Sequence, residues 1–144
     1  MTSASDRPII LASTSTYRKE LLARLRIRFD TVAPDVDETP MSGERPQQLA
    51  CRLAMAKARS VARRFPQAIV IGSDQVADLD GEPLGKPLVH DVAVAQLSRM
   101  RGRLVVFQTA VAVVCDQDRF AQMDLAQVRV RLSLIHISEP TRPY

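Results

Sequence analysis

Ala68-Ile69-Val70-Ile71-Gly72-Ser73-Asp74-Gln75-Val76 is the stretch that decides the fold of this chain. Its first four residues form a short apolar run, which is typical of a strand buried on both faces. Gly72-Ser73 is expected to end that strand, so Asp74 and Gln75 lie just beyond it. Ligands of open α/β sheets collect outside the carboxyl ends of strands, which makes both side chains candidates for a functional site. The alternative is that Ser73-Asp74 only makes a turn.

The composition indicates a soluble globular protein of one domain. The chain has 144 residues, of which 46% are hydrophobic and 25% charged, and this is enough for a real core. There is no apolar run long enough to span a membrane and no signal-peptide layout at the N-terminus, so we predict a cytoplasmic protein without a membrane partner. The net charge of +4 is spread along the chain, and only 4% of the residues are aromatic, so we also predict no nucleic-acid partner. Cys51 and Cys115 show no metal or redox spacing and are interpreted as core residues.

The first strand is predicted at Pro8-Ile9-Ile10-Leu11-Ala12, and a helix runs from about Tyr17 to Leu25. Between them lies the hydroxyl-rich turn Ser13-Thr14-Ser15-Thr16. Backbone N–H groups at a helix N-terminus suit an anion, and Arg18 in the first turn would add a positive charge. The alternative is that a hydroxyl of this turn only caps the helix.

An acidic loop follows the next predicted strand, Arg28-Phe29-Asp30-Thr31-Val32-Ala33. This loop, Pro34-Asp35-Val36-Asp37-Glu38-Thr39-Pro40, is bounded by prolines and carries three carboxylates within four positions. Hard cations such as magnesium take oxygen ligands, often one or two carboxylates together with substrate phosphates. The loop is therefore either the protein's part of a metal site or a solvated acidic surface.

A long amphipathic helix is predicted from Pro46 to about Phe65, because apolar residues recur there at helical spacing. Lys57 falls on the apolar stripe of this helix. Its ammonium group either extends along the apolar stem to the surface or points into a polar pocket at the edge of the core.

A hairpin-like excursion is predicted for residues 75–81, ending at Asp80-Gly81. Lys86 follows between Gly85 and Pro87, where a fixed backbone suits a phosphate contact and a surface turn is the alternative. Residues 90–100 are predicted to form a helix that starts at His90 or Asp91. Leu104 to Cys115 is predicted as a long buried strand, with a partner strand from Phe120 to Leu132 after a turn at Asp116-Gln117-Asp118.

The last residues, 133–144, continue no earlier pattern and contain two prolines. They resemble the accidental translation of a sequencing adapter. We therefore predict a partial domain over residues 1–132 and a non-native tail over 133–144, and we assign no function to His136. An incomplete domain would leave apolar surface of the long strands uncovered, so we expect marginal stability or aggregation.

Five ordered motifs together resemble the Maf family of nucleoside triphosphate pyrophosphatases, from about Ile9 to Leu132. The motifs are Leu11-Ala12-Ser13-Thr14-Ser15-Thr16-Tyr17-Arg18, Asp37-Glu38-Thr39-Pro40, Leu53-Ala54-Met55-Ala56-Lys57-Ala58, Ile71-Gly72-Ser73-Asp74-Gln75-Val76 and Gly85-Lys86-Pro87. The resemblance implies an α/β fold: a mixed twisted sheet with flanking helices and a nucleotide-binding cleft, incomplete here at the C-terminus. Tyr17 and Gln75 are similar to the subgroup that acts on 7-methyl-GTP, whereas the dTTP/UTP subgroup usually has arginine and threonine at these positions.

The resemblance also implies a reaction, the cleavage of the bond between the α and β phosphates to give a monophosphate and pyrophosphate. Asp74 would be the catalytic residue that accepts a proton from the attacking water, and Glu38 would be the ligand of a divalent metal cation, Mg or Mn. Substrate-binding roles fall to Ser13, Tyr17, Arg18, Lys57, Gln75 and Lys86. Among these, Tyr17 could stack on a positively charged methylated guanine, a cation–π contact of about 0.5–2 kcal/mol.

Two other hypotheses remain open at this point. The chain could be a nucleotide-binding regulator of septum formation without turnover, or an inactive fragment whose missing C-terminal segment is needed for activity. The sequence does not show the motifs of the related inosine triphosphate pyrophosphatases. It leaves the base preference, the choice of metal and a possible homodimer undecided.

Overall fold

The computed structural model describes residues 6–84, 95 and 102–131, which form one mixed sheet with flanking helices. The elements are β1 (Ile9–Ala12), α1 (Thr16–Ala23), β2 (Asp30–Val32), α2 (Pro46–Ala62), β3 (Ile69–Leu79), β4 (Glu82–Leu84), β5 (Leu104–Cys115) and β6 (Phe120–Arg131). The predicted α/β class is therefore confirmed. Among the described residues, neither helix has the length and hydropathy needed to cross a membrane.

The sheet is parallel on one side and antiparallel on the other. Its strands follow the order β2-β1-β3-β5-β6, and β4 pairs with β3 outside this path. Strand β1 is parallel to both β2 and β3, because a helix-containing segment connects each consecutive pair of these strands. Two of the antiparallel pairs, β3–β4 and β5–β6, are hairpins, whereas β3 and β5 are paired across a longer connection. The first hairpin turns at Asp80-Gly81, where both residues have positive φ angles of 54° and 86°, as a tight Asp-Gly hairpin requires.

Strand β3 does not end at Gly72-Ser73, so the predicted break was wrong. The strand continues to Leu79 because β5 pairs with it from Val70 to Leu79 and supplies hydrogen bonds along that edge. On the opposite edge, β1 pairs only with residues 69–71 and β4 only with residues 77–79. Among the described strands, residues 72–76 of β3 have no partner on this edge, which leaves an opening between β1 and β4. Asp74 lies beside this opening, three residues beyond the last pair between β1 and β3. It is therefore inside its own strand, and the prediction that it lies past the end of that strand was wrong.

Helix α2 packs on one face of the sheet and provides much of the core. Its buried residues include most of the predicted apolar stripe: Leu49, Ala50, Leu53, Ala54, Ala58, Val61 and Ala62. Phe65, predicted as the last residue of this stripe, follows the end of the helix and is exposed. The helix approaches β3 most closely at Gly72. A Cβ atom at that position would lie 2.3 Å from the carbonyl oxygen of Ala54 and 2.7 Å from the backbone nitrogen of Ala58. Glycine is therefore required for this packing distance.

The remaining secondary-structure predictions differ from the structure mainly at their ends. Helix α1 stops at Ala23, β2 begins only at Asp30, and α2 stops at Ala62. Cys115 is buried as predicted, whereas Cys51 is only partly buried. Apart from residue 95, which is helical, the predicted helix over residues 90–100 lies outside the described residues, as does the tail over 133–144.

Large apolar side chains of β5 and β6 are exposed, which agrees with the expected uncovered surface. Strand β6 is an edge strand of the described sheet, and most of its residues are accessible to solvent. The exposed large apolar residues of these two strands are Leu104, Val111, Phe120, Met123 and Val128. An exposed apolar edge strand favours association between chains.

Candidate active site

The turn after β1 presents a buried hydroxyl next to the start of α1. Ser13 Oγ accepts a hydrogen bond from the backbone N–H of Ser15 at 3.0 Å, so the hydroxyl hydrogen of Ser13 can be donated to a ligand. Ser15 Oγ accepts from the backbone N–H of Arg18 at 3.2 Å and is the N-cap of α1. The capping alternative is thus correct for Ser15, but Ser13 remains available for binding.

Lys57 lies at the centre of the site and bridges two carboxylates. Its Nζ atom is 2.9 Å from Asp74 Oδ1 and 2.8 Å from Glu38 Oε1. Lys57 is 6% exposed and Asp74 is 4% exposed, so the lysine points into a polar pocket and does not extend to the surface. The structure therefore decides between the two alternatives that the sequence left open. A buried charge that loses its partner costs about 3–5 kcal/mol, so Lys57 and Asp74 depend on each other.

Two pockets lie beside this ion cluster. The polar pocket, of about 300 Å³, is lined by Ser13, Thr14, Ser15, Arg18, Pro34, Val36, Glu38 and Lys57. The apolar pocket, of about 230 Å³, is lined by Glu38, Pro40, Leu49, Leu53, Asp74, Gln75, Val76, Pro83 and Leu84. Because Glu38 lines both, the pockets are neighbours and together form a cleft.

The two pockets differ in the chemistry that they offer. The polar pocket combines the charges of Arg18 and Lys57 with three hydroxyl side chains and the N-terminus of α1, which suits an anion. The apolar pocket is lined mainly by aliphatic side chains and proline, with the carboxylates of Glu38 and Asp74 at one side. Such a surface suits a flat, uncharged or cationic group. The cleft can therefore accommodate a ligand with an anionic end and an apolar end.

The loop that carries Glu38 is tied to α2 by charged hydrogen bonds. Arg52 donates to both carboxylate oxygens of Glu44, at 2.6 and 2.9 Å, and to the carbonyl oxygen of Thr39 at 3.1 Å. The backbone N–H of Met41 donates to Glu44 at 3.0 Å. The Arg52 guanidinium lowers the pKa of Glu44 to about 2, and this pairing raises the pKa of Arg52. Arg52 therefore holds the loop at Thr39 and at Glu44.

Asp37 stabilises the loop locally. Its Oδ1 atom accepts from the backbone N–H of Thr39 at 2.9 Å, and hydrogen bonding by Thr39 lowers the pKa of Asp37. Sequence reasoning considered Asp37 only as one of three loop carboxylates and missed Arg52 and Glu44 altogether. The opposite charges of that pair, eight positions apart on either side of a helix start, were the available signal.

Of the remaining predicted site residues, one lines a pocket, one is exposed and one lies outside the described residues. Gln75 lines the apolar pocket, and its side-chain amide donates to Thr109 Oγ1 at 3.0 Å. Tyr17 is 67% exposed on α1 and does not line either of the two pockets as the described residues define them. Lys86 lies outside the described residues. Glu38 is in the cleft, but the described residues contain no cluster of three or more His, Cys, Asp or Glu residues suited to a metal.

Comparison with known proteins agrees with the resemblance noted in the sequence. The family described as Maf-like protein matches residues 8–140. A protein of Albidiferax ferrireducens named 7-methyl-GTP pyrophosphatase is 63% identical over 139 residues, which are 96% of this chain and 70% of that protein. A protein of the same name from a Polaromonas species is 65% identical, and the match covers 88% of this chain and 58% of that protein. Another of the same name, from Xanthomonas campestris, is 60% identical, and the match covers 85% of this chain and 65% of that protein.

This chain therefore spans roughly two thirds of the length of the relatives that it matches. The family match extends to residue 140 and so includes part of the predicted tail, whose origin stays a prediction. The order of the five motifs, the mixed sheet and the cleft all agree with what the resemblance to this family implied. The chain belongs to the Maf family.

Proposed function

We propose that this chain is a nucleoside triphosphate pyrophosphatase that hydrolyses the α–β phosphate bond of 7-methyl-GTP, giving 7-methyl-GMP and pyrophosphate. The observation that carries this proposal is the position of Lys57, which holds Asp74 and Glu38 where the polar pocket meets the apolar pocket. The names of the relatives, 7-methyl-GTP pyrophosphatase, support the choice of substrate.

In this proposal, the triphosphate occupies the polar pocket and the base occupies the apolar pocket. Arg18 and Lys57 bind phosphate oxygens, and the Ser13 hydroxyl donates a hydrogen bond to them. The base of 7-methyl-GTP carries a positive charge. The aliphatic side chains and prolines of the apolar pocket would contact the face of this base, while the two carboxylates there are paired with Lys57.

Asp74 acts as the general base of the reaction. A water molecule attacks phosphorus, a new P–O bond forms, and the bridging P–O bond between the α and β phosphates breaks. The water proton passes to the Asp74 carboxylate, and the electron pair of the broken bond leaves with the departing phosphate group. A positioned base of this kind accelerates proton transfer by about 10²–10⁴-fold. Arg18 and Lys57 stabilise the negative charge that develops on the phosphate oxygens.

A divalent cation, Mg or Mn, fits the residues of this cleft. The positive charges of Arg18 and Lys57 are balanced by Glu38 and Asp74, so a bound triphosphate would be left without full charge compensation. Glu38 is 54% exposed and could offer a carboxylate oxygen to a cation, while substrate phosphates provide further ligands. The cation would supply additional charge neutralisation when bound. Lys86 is proposed as a further phosphate contact.

Gln75 and Tyr17 are proposed to select the base. Gln75 lines the apolar pocket, where a polar side chain could hydrogen-bond to a base edge. Tyr17 precedes Arg18 on α1 and lines neither pocket, so its proposed contact with the base rests on the resemblance and on its exposed ring. Tyr17→Ala should therefore weaken discrimination between 7-methyl-GTP and GTP, with pyrophosphate release from both nucleotides as the measurement.

The proposal is tested by incubating the chain with 7-methyl-GTP, GTP and dTTP, each with Mg or Mn, and separating the products by chromatography. We expect 7-methyl-GMP and pyrophosphate as the main products. Turnover of dTTP alone would contradict the assignment to the 7-methyl-GTP subgroup. Binding of 7-methyl-GTP without any product would support the regulator hypothesis instead, and restored turnover after adding a related C-terminal segment would support the inactive-fragment hypothesis.

A further inference from the structure

We infer that Arg52 and Glu44 are positioning residues, whose ion pair holds the loop of residues 37–44 so that the Glu38 carboxylate stays at Lys57. We call this segment the Glu38 loop. The inference rests on the proposed function, because it assigns the pair a part in that reaction. Neither Arg52 nor Glu44 lines the polar or the apolar pocket as the described residues define them, so both would act through Glu38.

The geometry of the pair makes it a clamp on the loop. Arg52 binds Glu44 through two hydrogen bonds, and its Nη2 atom also reaches the carbonyl oxygen of Thr39, the residue after Glu38. Glu44 accepts from Met41 N–H and thereby closes the turn before α2. Bidentate arginine–carboxylate pairs fix orientation as well as distance. The loop position next to Glu38 is thus fixed relative to α2.

Helix α2 also carries Lys57, so the Arg52–Glu44 pair fixes the loop relative to Lys57 and with it the position of Glu38. Arg52 precedes Lys57 by five positions on α2, and both residues hold groups of the Glu38 loop. Glu38 itself is 54% exposed, and an ion pair at such an accessible position is weak by itself. Glu44, in contrast, is only 8% exposed in its pair with Arg52. The Arg52–Glu44 pair, in which the Glu44 side chain is little exposed to solvent, can therefore hold the loop and with it the more exposed Glu38 side chain.

Arg52→Gln is the variant that tests this inference. It removes the guanidinium and leaves the phosphate-binding residues intact, so we expect kcat for 7-methyl-GTP to fall about 10–100-fold while KM changes much less. Arg52→Lys keeps the charge but not the bidentate geometry, so it should restore only part of kcat. Arg59→Gln is the matched control, since Arg59 lies on the same helix, is exposed and lines an outer groove; its kcat should equal that of the wild type.

A double-mutant cycle separates positioning from a general structural effect. If Arg52 acts through Glu38, Arg52→Gln should have little further effect on kcat in a Glu38→Gln chain. A full 10–100-fold loss in that background would overturn the inference, because the effect would then not pass through Glu38. Equal effects of Arg52→Gln and Arg59→Gln would overturn it as well.

Hydrogen exchange distinguishes failure of this inference from failure of the proposed function. The amides of Thr39 and Met41 are hydrogen-bonded within the Glu38 loop, and they should exchange faster in Arg52→Gln than in the wild type. Unchanged exchange at both amides would overturn the inference even if the wild type is active. If the wild type turns over no nucleotide, the proposed function has failed. Faster exchange of both amides in Arg52→Gln would in that case still support the positioning of the loop by the pair, and unchanged exchange would overturn it as well.

Discussion

Gly72 sets how closely α2 approaches the sheet, and Gly72→Ala should therefore damage both stability and activity. The alanine Cβ atom would lie 2.3 Å from the carbonyl oxygen of Ala54 and 2.7 Å from the nitrogen of Ala58. Both are backbone atoms of α2, so no rotation of a side chain relieves the contact. Restoring ordinary van der Waals distances requires α2 to move away from β3 by about 1 Å.

That movement would act directly on the site, because Lys57 is on α2 and Asp74 is on β3. Their Nζ–Oδ1 distance of 2.9 Å would increase to about 4 Å, which is beyond hydrogen-bond range. Overpacking of this kind costs about 1–3 kcal/mol of folding free energy. A displacement of about 1 Å at a catalytic group can reduce the rate by about 10²-fold.

The assay combines thermal unfolding with pyrophosphate release from 7-methyl-GTP at a temperature where both chains are folded. Gly81→Ala is the control, since its φ of 86° strains any other residue, but within the described part of the chain nothing beyond its two sequence neighbours lies within 4 Å of the added Cβ. It should cost about 1–2 kcal/mol and leave the rate per folded molecule unchanged. A Gly72→Ala chain with wild-type melting temperature and wild-type turnover would refute the packing argument.

Three further predictions concern charge and exposed surface. Lys57→Met should lower the free energy of unfolding by about 3–5 kcal/mol, since Asp74 is left buried without its partner, and urea unfolding would measure this loss. A smaller loss for Lys57→Met than for Arg59→Gln would contradict the prediction. The pKa of Glu44 is lowered from 4.5 to about 2, so the ionised Glu44 stabilises the fold fully above pH 4.5, and this effect is lost as the pH falls through about 2. Arg52→Gln should therefore make the melting temperature depend less on pH between pH 4.5 and 2, which melting curves from pH 2 to 6 would measure. Val128→Lys, on the exposed edge strand, should reduce light scattering without lowering the melting temperature; unchanged aggregation would exclude this edge as its cause.

The sequence was sufficient to predict the parts of the fold that depend on local pattern. The apolar stripe of α2 and the long apolar run of β5 predicted their elements to within a few residues, because periodicity and burial are local signals. The course of β3 past Gly72 was not predictable in this way. It depends on pairing with β5, whose paired residues lie 26 to 44 positions further along the chain. A glycine that looked like a strand end is instead a packing contact with α2.

The candidate site was predictable for the residues that interrupt a regular pattern. Lys57 interrupts an apolar helix stripe and Asp74 follows an apolar run, and the structure brings them together in one ion pair. The clamp between Arg52 and Glu44 gave only a weak signal, two opposite charges eight positions apart, because charged residues are common near a helix start. The role of this pair depends on the path of the loop, which the sequence pattern does not determine.

The central claim is that Asp74 drives hydrolysis in this cleft, and the most direct test is the rate of pyrophosphate release from 7-methyl-GTP by the wild type and by Asp74→Asn. Both chains should be folded, which circular dichroism would check, and the wild type should release one pyrophosphate for each 7-methyl-GMP. The account predicts a rate about 10²–10⁴-fold lower for Asp74→Asn. An Asp74→Asn chain that hydrolyses 7-methyl-GTP at the wild-type rate would contradict it.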